Sequence, residues 1–236
     1  MTEQAKPQLF ELISTNGLAL SPWCWHVRMA MAHKGINAEI IQGGFTQKAQ
    51  LEALGGKSYP LLKTSDGQVF TDSNDIVFYL EELKPDPALF PGGESGQTHY
   101  RFLHRYVQTI VLPTLAKMIM MDIPDLLEGE DRAYFVSSRE ARFGKPLAEV
   151  CAGREEMRPT LQLQLDPFRK AMESGGFVNG SAPAMSDYLL FGILQWARVS
   201  SAFQLLEDND VITSWMETML DLFDGLGRGV PSRSAS

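Results

Sequence analysis

The chain has 236 residues, 44% hydrophobic and 21% charged, which excludes disordered, collagen-like and disulfide-scaffold classes and leaves one large or two modest globular domains. With 21 basic against 29 acidic residues the net charge is −8, so bulk charge does not favour phosphate backbones or anionic lipid, and neither nucleic acid nor a membrane is an expected partner. The two cysteines, Cys24 and Cys151, sit in unrelated contexts, and the polar start from Met1 to Pro7 lacks an apolar signal core, which together point to a reducing, cytoplasmic setting.

In chain order, Leu9 to Ile13 reads as a strand and Ser14 to Leu20 as a loop. Ser21-Pro22 begins a helix, with serine a good N-cap, proline favoured at the first helical position and Gly35 a stop. A strand at Ala38 to Gln42, a short helix at Thr46 to Leu54 and a strand at Pro60 to Thr64 follow. Ser65-Asp66-Gly67 turns the chain into Val69-Phe70-Thr71, predicting an antiparallel hairpin. Asp72-Ser73 opens a helix whose apolar stripe is Ile76, Val77, Leu80 and Leu83. This order of strands and helices is that of a thioredoxin-like α/β domain, although other small α/β sandwiches share the pattern.

Three prolines and three glycines between Lys84 and Gly96 mark a short linker. Beyond it only helical periodicity appears, near 98–121, 131–143, 159–174, 186–199 and 210–224, with a Ser-rich end from Ser232 expected to fray. The helix containing Tyr188 to Ala197 is apolar on nearly all sides and is expected at the centre of an all-α bundle; this most apolar stretch is about half the length of a membrane span. Two domains are therefore expected, 8–84 and 98–228. The acidic run from Val199 to Gly227 reads as a solvated face.

The chemistry concentrates at element starts. Ser21 stands where a loop enters a helix, and the free amides and partial positive charge there stabilise an anion such as a thiolate; capping the helix is the simpler role. Cys24 lies one turn inside, at the second position of a redox C-x-x-C whose first position is serine, so it reads as a small buried hydrophobe rather than a nucleophile. Tyr59-Pro60 opens a strand as an ordinary trans turn or as a cis bond that would leave the Tyr59 amide and carbonyl free for an extended ligand. Asp72-Ser73 is a helix start that also offers a carboxylate for an ammonium and a hydroxyl with free amides for a carboxylate, as an amino-acid head group requires. The histidines at 26, 33, 99 and 104 lack metal-ligand spacing, Gly225-Leu-Gly227 follows no strand, and no Gly-x-Ser-x-Gly occurs, so metal, nucleotide and serine-hydrolase chemistries are not expected.

In that order and context, Ser21-Pro22, Tyr59-Pro60 and Asp72-Ser73 resemble the motifs of the cytosolic glutathione transferases, and a closer likeness is to the bacterial β-aryl etherases of that superfamily. The similar stretches are Ser21-Pro-Trp-Cys-Trp-His-Val-Arg-Met-Ala-Met-Ala-His-Lys-Gly35, Gly43-Gly-Phe-Thr46, Ala152-Gly-Arg-Glu155, Asp166-Pro-Phe-Arg169 and Asp221-Leu-Phe-Asp-Gly-Leu-Gly-Arg228. One departure is Ala184, where transferases usually place a capping Ser or Thr three residues before the aspartate of the buried helix; the loss is worth about 1 kcal/mol unless Ser186 or Ser181 substitutes. The resemblance implies a thioredoxin-like domain joined to an all-α bundle, a homodimer, and glutathione as cosubstrate. It also implies glutathione extended along Tyr59 and Pro60, its head group at Asp72 and Ser73, and its thiol at Ser21. The leading activity it implies is glutathione-dependent cleavage of a β-aryl ether; a generic conjugating transferase, a thiol reductase using Cys24 and a non-catalytic ligandin are the alternatives. The expected electrophile pocket is Leu18, Leu20, Trp23, Tyr106, Ile110 and Met118. Because these residues include no Arg or Lys, a neutral aromatic electrophile is expected over a strongly anionic one.

Overall fold

A computed structural model describes residues 6–233; the first five residues and the last three, and with them most of the polar start and Ser-rich end, lie outside the described residues. The first half runs β1 (Gln8–Leu12), α1 (Pro22–His33), β2 (Glu39–Gly43), α2 (Ala49–Ala53), β3 (Leu61–Lys63), β4 (Val69–Phe70) and α3 (Ser73–Leu83). The sheet order is β2-β1-β3-β4, with β1 parallel to β2, antiparallel to β3, and β3 antiparallel to β4. One parallel crossover and one hairpin in this order give the thioredoxin-like domain. Alternation along β1 sends Leu9 and Glu11 to the face of α1, while Phe10 packs with Leu51 and Leu61 on the other face. Glu11 is fully buried there and accepts from Arg28 Nε of α1 at 2.6 and 2.8 Å.

The second half is helical: α4 (Glu94–Tyr106), a π turn (Val107–Val111), α5 (Leu112–Ile119), a 3-10 run (Met120–Leu126), α6 (Gly129–Phe143), α7 (Leu147–Val150), α8 (Arg154–Met172), α9 (Met185–Ser200) and α10 (Val211–Gly225). As the apolar pattern implies, α9 is the central helix, with every residue except Arg198 buried. Its start lacks a capping hydroxyl. The Asp187 amide turns to the Ala184 carbonyl (2.9 Å), and the Asp187 carboxylate collects the amides of Val178 (2.8 Å) and Ala184 (3.1 Å) and the Trp215 indole (3.1 Å).

Three elements differ from the sequence expectation. The single helix expected over 98–121 is a broken run from Glu94 to Leu126, with Pro113 removing a backbone donor just after the π turn. That run is long and apolar enough to cross a membrane by length and composition alone, unlike the shorter stretch singled out in the sequence, yet Tyr100, Leu103, Val107, Val111 and Leu115 bury a stripe of it in the bundle. α8 starts before Pro159 and continues through Pro167, because the buried stripe of Leu161, Leu165, Phe168 and Met172 outweighs two missing donors. α10 loses helical geometry at Leu222, and Phe223 and Asp224 take positive φ (55° and 59°), so regular helix ends near Asp221.

Apart from the small cluster of Phe10, Leu51 and Leu61 under the sheet, the core is shared by the two halves. One hydrophobic cluster runs from Leu9 and Trp25 through Tyr188 and Phe191 to Leu161 and Met219. α1 lies along α9 so closely that a Cβ on Gly192 would come within 2.5 Å of the Pro22 carbonyl. The linker is pinned as well: the fully buried Lys34 ammonium bonds Glu81 (2.5 Å) and the carbonyls of Pro85 (3.1 Å) and Pro87 (2.6 Å), while Lys84 donates back to the Lys34 carbonyl (2.6 Å).

Candidate functional site

The loop after β1 folds back on its strand: Ser14 donates to the Leu18 carbonyl (2.9 Å) and Leu20 to that of Leu12 (3.1 Å). This places Ser21 at the mouth of α1 with extended backbone (φ −128°, ψ 124°), followed by Pro22 at the first helical position. The Ser21 oxygen accepts from the Cys24 amide at 3.3 Å, so the capping role is real. That bond occupies a lone pair and leaves the hydroxyl proton free to donate. Ser21 lines a cleft of about 480 Å³ between the two domains.

Cys24 is fully buried one turn deeper. Burial first, then the nearby Glu11 carboxylate, pushes its thiol up to about 12, so it stays protonated at neutral pH and does not serve as a nucleophile there.

A smaller polar recess of about 180 Å³ opens beside the main cleft, and Trp23, Ser58, Tyr59 and Gln108 border both. Pro60, Asp72 and Ser73 line it, so five residues far apart in sequence, Ser21, Tyr59, Pro60, Asp72 and Ser73, fall along one continuous groove. The Tyr59-Pro60 bond is cis. The Tyr59 hydroxyl donates to the Gln47 carbonyl (2.9 Å) and occupies the space that a Cβ on Gly43 would fill. Asp72 caps α3 by accepting from the amides of Asn74 (2.8 Å) and Asp75 (3.4 Å), and its exposed carboxylate remains available to a cation.

The recess includes residues that the sequence did not single out. Asn74 lies 3.3 Å from His104 Nε2 through its amide nitrogen and accepts from the Tyr100 hydroxyl at 2.8 Å. Burial holds His104 below its ordinary value against the pull of Asp72. These side chains tie α4 to the start of α3, and only the folded chain brings them together.

Of the six residues expected in the electrophile pocket, Leu20 and Trp23 lie on the cleft wall and four do not. Leu18 packs against the core, and the Tyr106 hydroxyl turns to the Gln164 carbonyl (2.8 Å). Ile110 is 42% exposed on the π turn, and Met118 is fully buried. The face of the broken helix that meets the cleft carries Gln108, Leu112, Ala116 and Met120, two positions out of step with Tyr106, Ile110 and Met118. Two residues are about 200° of helix, which sends a side chain to the opposite face.

The wall is completed by Phe45, Tyr134, Phe135, Phe143 and Trp196, and by three cations, Lys48, Arg139 and Arg142. A pocket free of Arg and Lys is therefore not what the fold builds. The signal in the sequence was the three-residue spacing of Arg139 and Arg142 on one helix face. What could not be read was that α6 packs over the loop after β2, where the Asp131 carboxylate receives the amides of Phe45 (2.9 Å) and Thr46 (2.7 Å) and the Thr46 hydroxyl (2.6 Å).

Comparison with known proteins agrees with this geometry. Residues 20–83 match the family model of the glutathione S-transferase N-terminal domain, and residues 99–222 that of the glutathione S-transferase C-terminal domain. A glutathione S-transferase-like protein of Aspergillus flavus, ustS, is 26% identical over 229 residues, 83% of this chain and 82% of its own. Glutaredoxin 2 of Escherichia coli is 26% identical over 177 residues, 74% of this chain and 80% of its own. Among solved structures, glutathione transferase GSTFuA3 of Phanerochaete chrysosporium superposes with a TM-score of 0.80 at 21% identity, over 92% of this chain and 96% of its own. With its thioredoxin-like domain, its helical domain and the groove between them, the chain belongs to the glutathione transferase family, whose cosubstrate is glutathione.

Proposed function

We propose that the protein transfers the glutathione thiolate to an aryl-bearing electrophile, with cleavage of an aromatic ether beside a ketone as the leading reaction. The observation that carries this reading is Ser21: a hydroxyl with a free proton, at a helix start, on the wall of a cleft lined by aromatic side chains. Glutathione lies extended along Tyr59, its ammonium at Asp72 and its head-group carboxylate at Ser73 and the free amides of α3. A thiol of ordinary pKa, about 8.5, is mostly protonated at pH 7, and hydrogen bonding to the anion together with the helix dipole lowers that value. Ser21 donates to the thiolate and does not itself attack. In ether cleavage the sulfur forms a bond to the carbon beside the ketone, the carbon–oxygen bond breaks, and the phenolate leaves with the electron pair and takes a proton from water. The product is a glutathione thioether, so no change in net oxidation state is required. A thiol-reductase reading through Cys24, in the manner of a redox C-x-x-C, is opposed by the burial and raised pKa of that thiol.

The test is a turnover assay with glutathione and an aryl ether ketone, reading phenol by chromatography. Glutathione-dependent phenol release is expected. Ser21→Ala should lower kcat/KM about tenfold to a hundredfold and move the acid limb of the pH–rate profile up by about one unit, since hydrogen bonds to charged groups contribute ~1.5–3 kcal/mol. Conjugation of other electrophiles without phenol release would restrict the reading to a general transferase. Tight aryl binding without any turnover would identify a ligandin.

A further inference from the structure

The arginines of the cleft lack the acidic partners that several arginines of this chain have. Arg28 is paired with Glu11, Arg154 with Asp122 and Arg169 with Asp210. Arg139 is half-buried at the cleft wall, yet among the described residues its only hydrogen bond is to the Ser138 hydroxyl (3.0 Å), and it makes no ion pair. Its guanidinium lies 4.8 Å above the Phe135 ring and 5.6 Å from that of Phe45, which fixes its plane without using its donors. Arg142 follows three residues later on the same face of α6 and borders the same cleft. Two like charges at this spacing repel, and burial together with Arg142 holds the Arg139 guanidinium below its ordinary value. Lys48 adds a third positive charge, with its ammonium on the Tyr134 hydroxyl (3.0 Å), and no residue lining the cleft is an Asp or Glu. An anion is thus favoured by charge, by vacant donors and by a planar fork matched to a carboxylate. The aromatic walls beside it suit the rest of an aryl molecule.

We propose that Arg139 and Arg142 bind a carboxylate on the electrophile, so that the cleft selects aryl carboxylates over their neutral counterparts. This rests on the reading above that the main cleft takes the electrophile, and it reverses the preference for neutral aromatics expected from the sequence. The other anion that could reach these donors is the glycyl carboxylate of glutathione itself, and the experiment separates the two.

The test is calorimetric titration of the full chain, with glutathione present, by two unreactive probes of nearly equal shape, 1-naphthoate and 1-naphthamide. Naphthoate is expected to bind about tenfold or more tightly, the scale of a charge-assisted bidentate contact. The double variant Arg139→Met, Arg142→Met should bring the two affinities together, while its affinity for glutathione changes by less than about threefold, since the lost charge-assisted bonds belong to the other ligand. Arg142→Met alone, at an exposed position, supplies the variant arm if the double variant does not fold. Equal binding of the two probes by the unaltered protein would overturn the proposal, as would a preference that survives the substitutions. A loss of glutathione affinity matching the loss for naphthoate would give the arginines to the peptide instead. Neither probe reacts, so this result is independent of whether aryl ethers are turned over.

Discussion

Ser21, Tyr59, Asp72 and Ser73 were legible as candidate site residues because each stands at an element start, where a cap, a proline or a free amide leaves a short-range mark in the sequence. Asn74, His104 and Arg139 left no such mark; their roles come from neighbours about thirty to ninety residues away, through Tyr100, Asn74 and Phe45 respectively. His26 shows the limit from another side. A lone histidine in a helix reads as surface or packing, and here it is packing of a consequential kind: fully buried, with neither ring nitrogen fully hydrogen-bonded. Burial, ahead of the nearby His104 and against a partial offset from the Ser73 backbone, brings its pKa down to about 3. The unfolded chain protonates this histidine near 6.5 and the folded chain does not. Falling pH therefore stabilises the unfolded state, and stability drops from about pH 6.5 downward by ~1.4 kcal/mol per unit. His26→Leu, close in volume, removes that contribution. Between pH 7.5 and 5 the wild-type protein should lose about 2 kcal/mol more than the variant in urea titrations. Parallel losses would mean that His26 is protonated in the folded state.

At the scale of elements, helices were readable where a cap marks the start, as at α1 and α3, and at α9 from its apolar run alone. The π turn was not, because it arises from Pro113 acting on a run whose apolar stripe continues unbroken across it. Tyr106, Ile110 and Met118 were misplaced for another reason: which face of the run meets the cleft is set by the packing of the folded chain, and the two-residue offset is the same on both sides of the turn. The two prolines of α8 misled in the opposite sense, since tertiary burial overrode local propensity. The contact of α1 with α9 gives a test at this scale. A Cβ on Gly192 would lie 2.5 Å from the Pro22 carbonyl and 3.3 Å from the His26 Cβ, so Gly192→Ala forces the two helices apart. Overpacking of this kind destabilises by about 1–3 kcal/mol. Since Pro22 follows Ser21, kcat/KM should fall as well, by more than Ala substitution at the exposed Thr218 of α10 produces. Wild-type melting temperature and turnover in the Gly192 variant would show that the helices have room to spare.

For the whole molecule, the sequence suggested a division of the chain and left its energetics unread. A linker of prolines and glycines suggests separable parts, yet Leu89 and Phe90 within it are buried and Lys34 reaches across to hold it. Such a lock was illegible because its partners, Lys34 and Glu81, are ordinary surface-type residues until the fold encloses them. With the main core continuous across both halves, they should unfold together, giving a single calorimetric transition whose van't Hoff and calorimetric enthalpies agree. Two resolved transitions would contradict that picture. The seat of α1 on Gly192 also governs how such proteins exchange parts. A chimera joined within the linker would lay this α1 on a foreign α9, and whatever side chain that helix carries opposite Pro22 would reset the height of Ser21 above the groove. A graft that preserves the thiol's alignment must therefore move α1 and α9 as a pair, although they belong to different halves of the chain.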